Sequence, residues 1–359
     1  MAGRLAKAGF EVLLFDHQAP WDKPCAGGIT PPNLEKFPEL AKIRELGNPI
    51  HQVRVITFNN ESNYFDLRSP IYVLPRKPLA EFLLDQALSQ GAIFFSRKIA
   101  DLFTKSEGWV LKDDRNETLE IDFLVGADGV HSRVRRKFCP PWPKLDYIFS
   151  LSFWVSKKVS LPLTFKLFPG VPGYAWIFPG KESASLGIGV KNLQLRPEKL
   201  LALWEELIGN EPELKELKPV LQEKAKKWLV PALSFSKLRN QKVAGENWAL
   251  VGDASGAVNS VNGEGIPYAF QSASLLAEAL ISGRPEAYQQ KWWEMCKAEI
   301  AGPSIWSPIF YNSSCQKQLS KMLAKSDTAR NLVTEILSGG RPKRTRILTD
   351  LLRSLAESL

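Results

Sequence analysis

Two apolar runs that each stop at a glycine-framed turn constrain this 359-residue chain more than any other feature. Residues 122–129 read DFLVGADG and residues 246–256 read ENWALVGDASG, in both cases a strand that runs straight into a sharp turn. A third fragment opens the chain. Residues 1–8 read as the later part of a helix, Gly9 suits its C-terminal stop, and residues 11–16 (EVLLFD) form a short strand ending in a carboxylate. A helix feeding such a strand is the second half of a βαβ unit, and the expectation is that the first half is missing through an N-terminal truncation.

Between these fragments the pattern changes. VRVITF and NYFDLR read as strands, and Pro78 opens a helix, LAEFLLDQALSQ, whose Leu79, Phe82, Leu83 and Ala87 share one face before Gly91 stops it. From about Cys139 to Leu238 short strands (FSLSFWV, LTFKLF, YAWIFP, ASLGIGV) alternate with one helical segment, PEKLLALWEELIG. GIPYAFQSASLLAEAL is a strong helix. Everything after Arg284 reads helical, with interruptions at Pro303 and Pro308. The fold class is therefore α/β at both ends with a β-rich insertion. Residues 1–50, 75–138 and 240–285 are expected to rejoin as one Rossmann-like nucleotide-binding domain. Residues 51–74 and 139–239 make the β-rich substrate domain, and 286–359 a helical C-terminal region.

Composition narrows the function classes. Hydrophobic residues at 44% and charged ones at 24% are ordinary globular values. No stretch reaches the ~18 uninterrupted apolar residues of a spanning helix, and no apolar segment precedes Lys7 as a signal peptide requires. The cysteines (Cys25, Cys139, Cys296, Cys315) form no CxxC pair and the three histidines are scattered, so no metal site is expected and a cytoplasmic, reduced protein is the simplest reading. A net charge of +9 invites an acidic partner, but no nucleic-acid-binding motif is present. The densest basic run, RPKRTR from Arg341 to Arg346, precedes an amphipathic ILTDLLRSLAESL tail. That pattern fits a helix lying peripherally on an anionic membrane, or one packed on its own domain.

Three fragments carry chemistry together. In a dinucleotide fold the second strand ends in an acid that holds the adenosine ribose, and Asp16 stands at that place. In GADGVHSRVR, residues 126–135, a strand, a tight glycine turn and a basic helix start bring backbone N–H groups near phosphate. In VGDASG followed by NGEGI, residues 251–256 and 262–266, Asp253 is placed to hold a polyol chain. There Gly263 and Gly265 let a ligand approach the positive end of a long helix.

The combination resembles the geranylgeranyl reductase family of FAD-dependent oxidoreductases: LAKAGFEVLLFD, DKPCAGGIT, GADGVHSRVR and GDASGAVNSVNGEGI stand in that family's order and spacing. The resemblance implies that FAD is the cofactor. By position, Asp16 would bind the adenosine ribose, where relatives more often carry Glu, and Arg76 would neutralise an FAD phosphate. Ile99 would meet the adenine through its backbone, and Asp128 and Gly129 would line the pyrophosphate and flavin approach. Gly252 and Asp253 would hold the ribityl and phosphate region, with Gly263, Gly265 and Ile266 against the flavin ring. Cys25, Ala26, Gly27 and Gly28 resemble the CGGG-type loop beside the isoalloxazine, with Ala26 where glycine is usual; Cys25 is also the catalytic candidate. Tyr174, Trp176, Phe178 and Pro179 resemble the YxWxFP motif of the substrate cavity, and the three rings alternate at strand period. Packing as ordinary core is the alternative for them. Ser260 departs from the proline usual in relatives.

The implied reaction is reduction of carbon–carbon double bonds in a prenyl chain, with NADPH or a ferredoxin as electron donor and an isoprenoid lipid as substrate. Two rivals stand beside it. One is a flavin-dependent monooxygenase or halogenase, although YAWIFP stands where halogenases carry WxWxIP. The other is an inactive, flavin-free relic, since no GxGxxG occurs in the chain.

Overall fold

A computed structural model describes residues 1–191, 196–340 and 342–358, with residues 32, 33, 219–222 and 344 described by backbone alone. Arg341, the start of the basic run, lies outside the described residues. The chain is mixed α/β, with a sheet-rich core and a helical C-terminal region. It divides into two compact units, one of residues 1–22, 77–147 and 230–305, the other of residues 23–76, 148–229 and 306–359. Residues 23–50 thus group with the sheet-rich unit, and residues 286–305 with the first.

In the first unit the expected strands form two short parallel pairs. Leu13–Phe15 runs beside Ile93–Phe95, and Trp248–Leu250 beside Leu124–Gly126. The strand after Gly9 is shorter than EVLLFD suggested, because only its central residues find ladder partners. Gly9 has φ +93°, a conformation that suits glycine, just past the Ala2–Lys7 helix. A three-stranded antiparallel sheet, Ile99–Thr104, Trp109–Asp113 and Thr118–Ile121, completes the strands. The core gathers around Trp109, Trp248, Leu250, Tyr288 and Trp292. Tyr288 donates its hydroxyl to the Leu250 carbonyl at 2.7 Å, so the Ala287–Glu299 helix is bonded as well as packed to the central strand.

The second unit is built on one eight-stranded sheet. Its order is Lys226–Pro231, Tyr147–Val155, Ala184–Val190, Gly173–Pro179, Leu163–Leu167, Asn48–Ile56, Ser62–Val73 and Gly28–Ile29. Between Tyr147–Val155 and Gly28–Ile29 in that order, the ladders are antiparallel except that of Leu163–Leu167 with Asn48–Ile56. Strand alternation sorts the side chains by face. Ala175, Ile177, Leu186 and Ile188 meet Leu200, Trp204, Leu207 and Ile208 of the Pro197–Gly209 helix. Trp176 and Phe178 join Ile50, Val53, Leu67, Ile71, Val73 and Leu163 in a separate cluster. The terminal helices Ser313–Lys325, Asp327–Leu337 and Arg344–Ser358 pack through Met322, Leu323 and Ala329 on Phe65 of the Ser62–Val73 strand.

The prolines beyond residue 300 do not break helices where the sequence suggests. Pro303 and Pro308 both lie within Ala301–Phe310. Pro303 sits in the first turn, where its missing N–H has no intrahelical partner to lose. The interruption falls instead after Phe310, where Asn312 caps the next helix by accepting from the N–H groups of Ser314 and Cys315.

The Pro197–Gly209 segment is also tied to the sheet by charge. Arg54 Nη2 meets Glu211 Oε1 at 2.5 Å, and Arg54 Nε donates to Thr164 Oγ1 at 3.1 Å, with both charged side chains buried. Lys166 Nζ reaches Glu206 Oε1 at 2.6 Å. Removing one member strands the other charge, at a cost of about 3–5 kcal/mol, whereas replacing both by apolar groups is often near neutral. Arg54→Met should therefore lower the unfolding free energy by about that amount in urea titration, and Arg54→Met/Glu211→Leu should recover most of the loss. A double variant no more stable than the single one would contradict this.

Candidate functional site

In the first unit Gly252, Asp253, Gly263, Gly265 and Ile266, among the expected cofactor residues, lie at or beside the start of the 16-residue Ile266–Ile281 helix. The Trp248–Leu250 strand ends in the turn Gly252–Ser255, where Gly252 holds φ +58° and donates its N–H to Ser272 Oγ at 2.9 Å. This bond fixes the turn to the long helix. Asp253 then faces Gly265: a Cβ added at Gly265 would stand 3.0 Å from Asp253 Oδ1, so a larger residue there would have to push the carboxylate aside. Gly265 is the N-cap and no side chain makes a capping hydrogen bond there, so the positive end of the helix dipole lies beside the Asp253 carboxylate. The loop before it depends on Asn259, whose Oδ1 accepts from Val261 N at 2.9 Å and Asn262 N at 3.4 Å. The backbone closes through Gly263 N to Asn259 O, with Gly263 at φ +69°. Ser260 is fully buried in this loop.

The other two fragments of this unit are organised by their acids. Asp128 Oδ2 accepts from Arg133 N at 2.6 Å and Ser132 Oγ from Arg135 N at 2.9 Å, so the GADG turn caps the Arg133–Phe138 helix twice. Gly129 has φ +74°, and a Cβ on Gly126 would press on Leu250 and Val134 at 2.7 and 2.8 Å. Asp16 Oδ1 accepts from Gln18 N at 2.8 Å and Ala19 N at 3.2 Å, forming the turn after its strand. Ile99 begins a strand, half-buried, in register with Asp113.

In the second unit the CAGG loop and the aromatic strand are bonded together. The Cys25 carbonyl accepts from Trp154 Nε1 at 3.1 Å and from Ser185 Oγ at 3.2 Å. Ser185 Oγ in turn accepts from Trp176 Nε1 at 3.1 Å. Gly27 has φ +78°, and a Cβ there would collide with the Leu74 carbonyl oxygen; one on Gly28 would lie 2.8 Å from the Phe178 ring. Ala26 packs on the Trp176–Phe178 cluster, and the half-buried Cys25 accepts at Sγ from Gly27 N at 3.4 Å. Phe165 meets Tyr174 and Phe178 edge-on, each at 5.3 Å between ring centres. Trp176 and Phe178 are only 6% and 8% exposed, Tyr174 is half-buried, and the Pro179 carbonyl accepts from Asn48 Nδ2. Tyr311 is buried near Tyr174, and burial, with the neighbouring phenol, pushes its hydroxyl well above the usual tyrosine range. Arg76 begins the Arg76–Ser89 helix, and its buried Nε meets no acceptor among the described residues.

Ser185, Trp154, Asn259 and Ser272 were not visible as functional candidates in the sequence. A single serine in a strand has no spacing signal, and its role exists only once a loop 160 residues away is folded against it.

No protein-family profile matches the chain. It is 29% identical over 311 residues to a menaquinone reductase of Mycolicibacterium smegmatis, covering 80% of this chain and 74% of that protein. It is 27% identical over 299 residues to digeranylgeranylglycerophospholipid reductase 2 of Methanosphaera stadtmanae, covering 76% and 72%. Among solved structures, a geranylgeranyl bacteriochlorophyll reductase-like protein from Thermoplasma acidophilum superposes with TM-score 0.71 at 21% identity, covering 99% of this chain and 92% of that one. A Pseudomonas aeruginosa protein described as a probable FAD-dependent monooxygenase gives TM-score 0.64 at 19% identity, covering 88% and 94%. At such identities these two likenesses speak for the fold alone.

Ser185→Ala removes the hydroxyl shared by Trp176 and Cys25. The expected cost is about 1–3 kcal/mol of stability, with faster iodoacetamide labelling at Cys25 than in the native chain while exposed Cys315 is unchanged. Peptide mass spectrometry reads both sites in one experiment. Unaltered labelling of Cys25 would show that the loop does not depend on this bond.

Proposed function

We propose that this chain, a member of the geranylgeranyl reductase family of FAD-dependent oxidoreductases, reduces carbon–carbon double bonds in the prenyl chain of a lipid. The carrying observation is the cradle at the Ile266–Ile281 helix: an uncapped N-terminus, a glycine where any Cβ would crowd Asp253, and a turn held rigid by Ser272. These residues fit a flavin, whose reduced ring is negatively charged and is favoured at a helix N-terminus. The unpartnered Arg76 Nε fits a phosphate in the same way.

The chemistry a bound, reduced flavin supplies is hydride donation to one alkene carbon, the other carbon taking a proton. This chain's residues do the rest. Asp253 would accept hydrogen bonds from the polyol hydroxyls, and the backbone N–H groups at Gly265 and Ile266 would face the negative charge of the reduced ring. Asp16 serves the ribose and Arg76 a phosphate, while Ile99, Asp128 and Gly129 border the nucleotide. An unactivated alkene offers no charge to grip, so orientation in a dry apolar setting has to lower the barrier. Tyr174, Trp176 and Phe178 give that setting, with Pro179 closing the strand. Cys25, held through its carbonyl by Trp154 and Ser185, is the candidate to hold the transferred proton.

Support comes also from relatives named as reductases of a quinone and of a digeranylgeranyl lipid. The shared fold of a probable monooxygenase favours a second reading, in which oxygen is consumed and the product is hydroxylated.

Purified protein reconstituted with FAD should be yellow, and Asp253→Ala and Arg76→Met should each weaken flavin binding about tenfold, roughly 1.4 kcal/mol, in fluorescence titration. The holoprotein, reduced by NADPH or by reduced ferredoxin, should add two hydrogens per double bond to a geranylgeranyl lipid, seen by mass spectrometry. Bound flavin that neither donor bleaches would overturn the reductase reading, and oxygen uptake with a hydroxylated product would establish the second one.

A further inference from the structure

Positive charge and exposed apolar surface coincide at the end of the chain. Residues 311–359 hold nine Lys and Arg against four Asp and Glu, a net +5 of the chain's +9. Among the described residues, Ile336, Leu348, Leu352 and Leu355 are large apolar side chains left exposed in the same region.

The Arg344–Ser358 helix is fastened by one side only. Leu351 packs on the cluster around Phe65, Met322 and Leu323, while Ser354 and Ser358 are buried. Lys325 Nζ donates to the Ser358 carbonyl at 3.1 Å, and the Glu357 carboxylate accepts from Ser326 Oγ at 2.5 Å and Thr328 Oγ1 at 2.9 Å. Those bonds, Ser326 first, then Thr328 and Arg353, hold the Glu357 carboxyl below the usual range. With its packing side thus satisfied, the helix still presents Leu348, Leu352 and Leu355 at 48%, 69% and 39% exposure. Their spacing of four and three residues makes one continuous stripe. At 100° per residue, Arg346 and Arg353 fall about 100–120° round the helix from Leu352, on the side away from the packed face. Arg346 pairs with Glu335 and Asp350, and Arg353 with Glu357, each exposed arginine meeting a carboxylate that is 17%, 22% and 32% exposed in turn. Exposed Lys343, and Lys317 and Lys321 on the neighbouring helix, leave positive charge in excess.

We propose that the Leu348–Leu352–Leu355 face docks on an anionic lipid surface, with this helix lying in the plane of the interface. Anionic headgroups neutralise the basic flank while the acyl boundary takes the leucines. A second copy of the chain would instead press the same excess charge onto itself. None of the described helices is long and apolar enough to cross a membrane, so contact of this kind stays at the surface. The inference does not depend on the flavin reaction.

The test is co-sedimentation of the full chain with phosphatidylcholine vesicles, with and without about a third phosphatidylglycerol. Binding should require the anionic lipid, fall as salt is raised, and drop at least about tenfold in Leu348→Glu/Leu352→Glu, whose melting curve should match that of the native chain. Independently, Leu352→Cys carrying a polarity-sensitive dye should shift to the blue only with anionic vesicles. Protein that stays in the supernatant with anionic vesicles overturns the proposal. So does a Glu variant that pellets equally, or a concentration-dependent dimer lost in that variant without any vesicle binding.

Discussion

One carbonyl oxygen, that of Cys25, organises the sheet-rich unit around its loop. It takes hydrogen bonds from Trp154 Nε1 and Ser185 Oγ, and the same serine oxygen accepts from Trp176. A carbonyl drawn partly out of water is costly unless it is bonded, so this arrangement draws the loop onto three neighbouring strands at once. Gly27 and Gly28 make the approach feasible by putting no Cβ between the loop and Leu74 or Phe178. The Trp176 indole needs room as well, and Gly187, its partner across the ladder, gives it: a Cβ there would collide with the ring. The loop motif and the aromatic motif, 150 residues apart in the chain, are therefore one packed object.

The helix cradle in the first unit rests on a related economy. Asp253, Gly265 and Ser272 are each small or short, and each is placed by backbone geometry rather than by a long side chain. Asp16 and Asp128 are likewise drawn onto the N–H groups of their own turns. An acid restrained in this way has already lost its rotamer freedom before any ligand arrives, which is what preorganisation means in a binding site.

Much of this was legible in the sequence because it is written in local pattern. Helix and strand periodicity located the strands of the parallel pairs, the aromatic strand and the long helix after GEGI. The mixed α/β class with a helical end followed from the same signals. What local pattern does not carry is pairing between distant residues. Ser185 and Asn259 are ordinary polar residues until a loop closes on them, and Pro308 reads as a breaker although tertiary packing tolerates it inside Ala301–Phe310. The alternation of Tyr174, Trp176 and Phe178 gave their common face. That Trp176 and Phe178 are also core required the neighbouring strands to be placed.

The parallel ladder between Leu163–Leu167 and Asn48–Ile56 has a kinetic consequence. The hairpin of Asn48–Ile56 and Ser62–Val73 can close as soon as it is made, since its turn is local. Its other edge, however, waits for Leu163–Leu167, roughly a hundred residues later in synthesis. Until that segment leaves the ribosome, the strand edge and the apolar side chains of Ile50, Val53 and Ile71 have nothing to cover them. Long-range parallel closure is slow, and an open edge of this kind is where a nascent chain meets chaperones or its own neighbours. The joint that unites the sheet is thus also the step at which its assembly is most exposed.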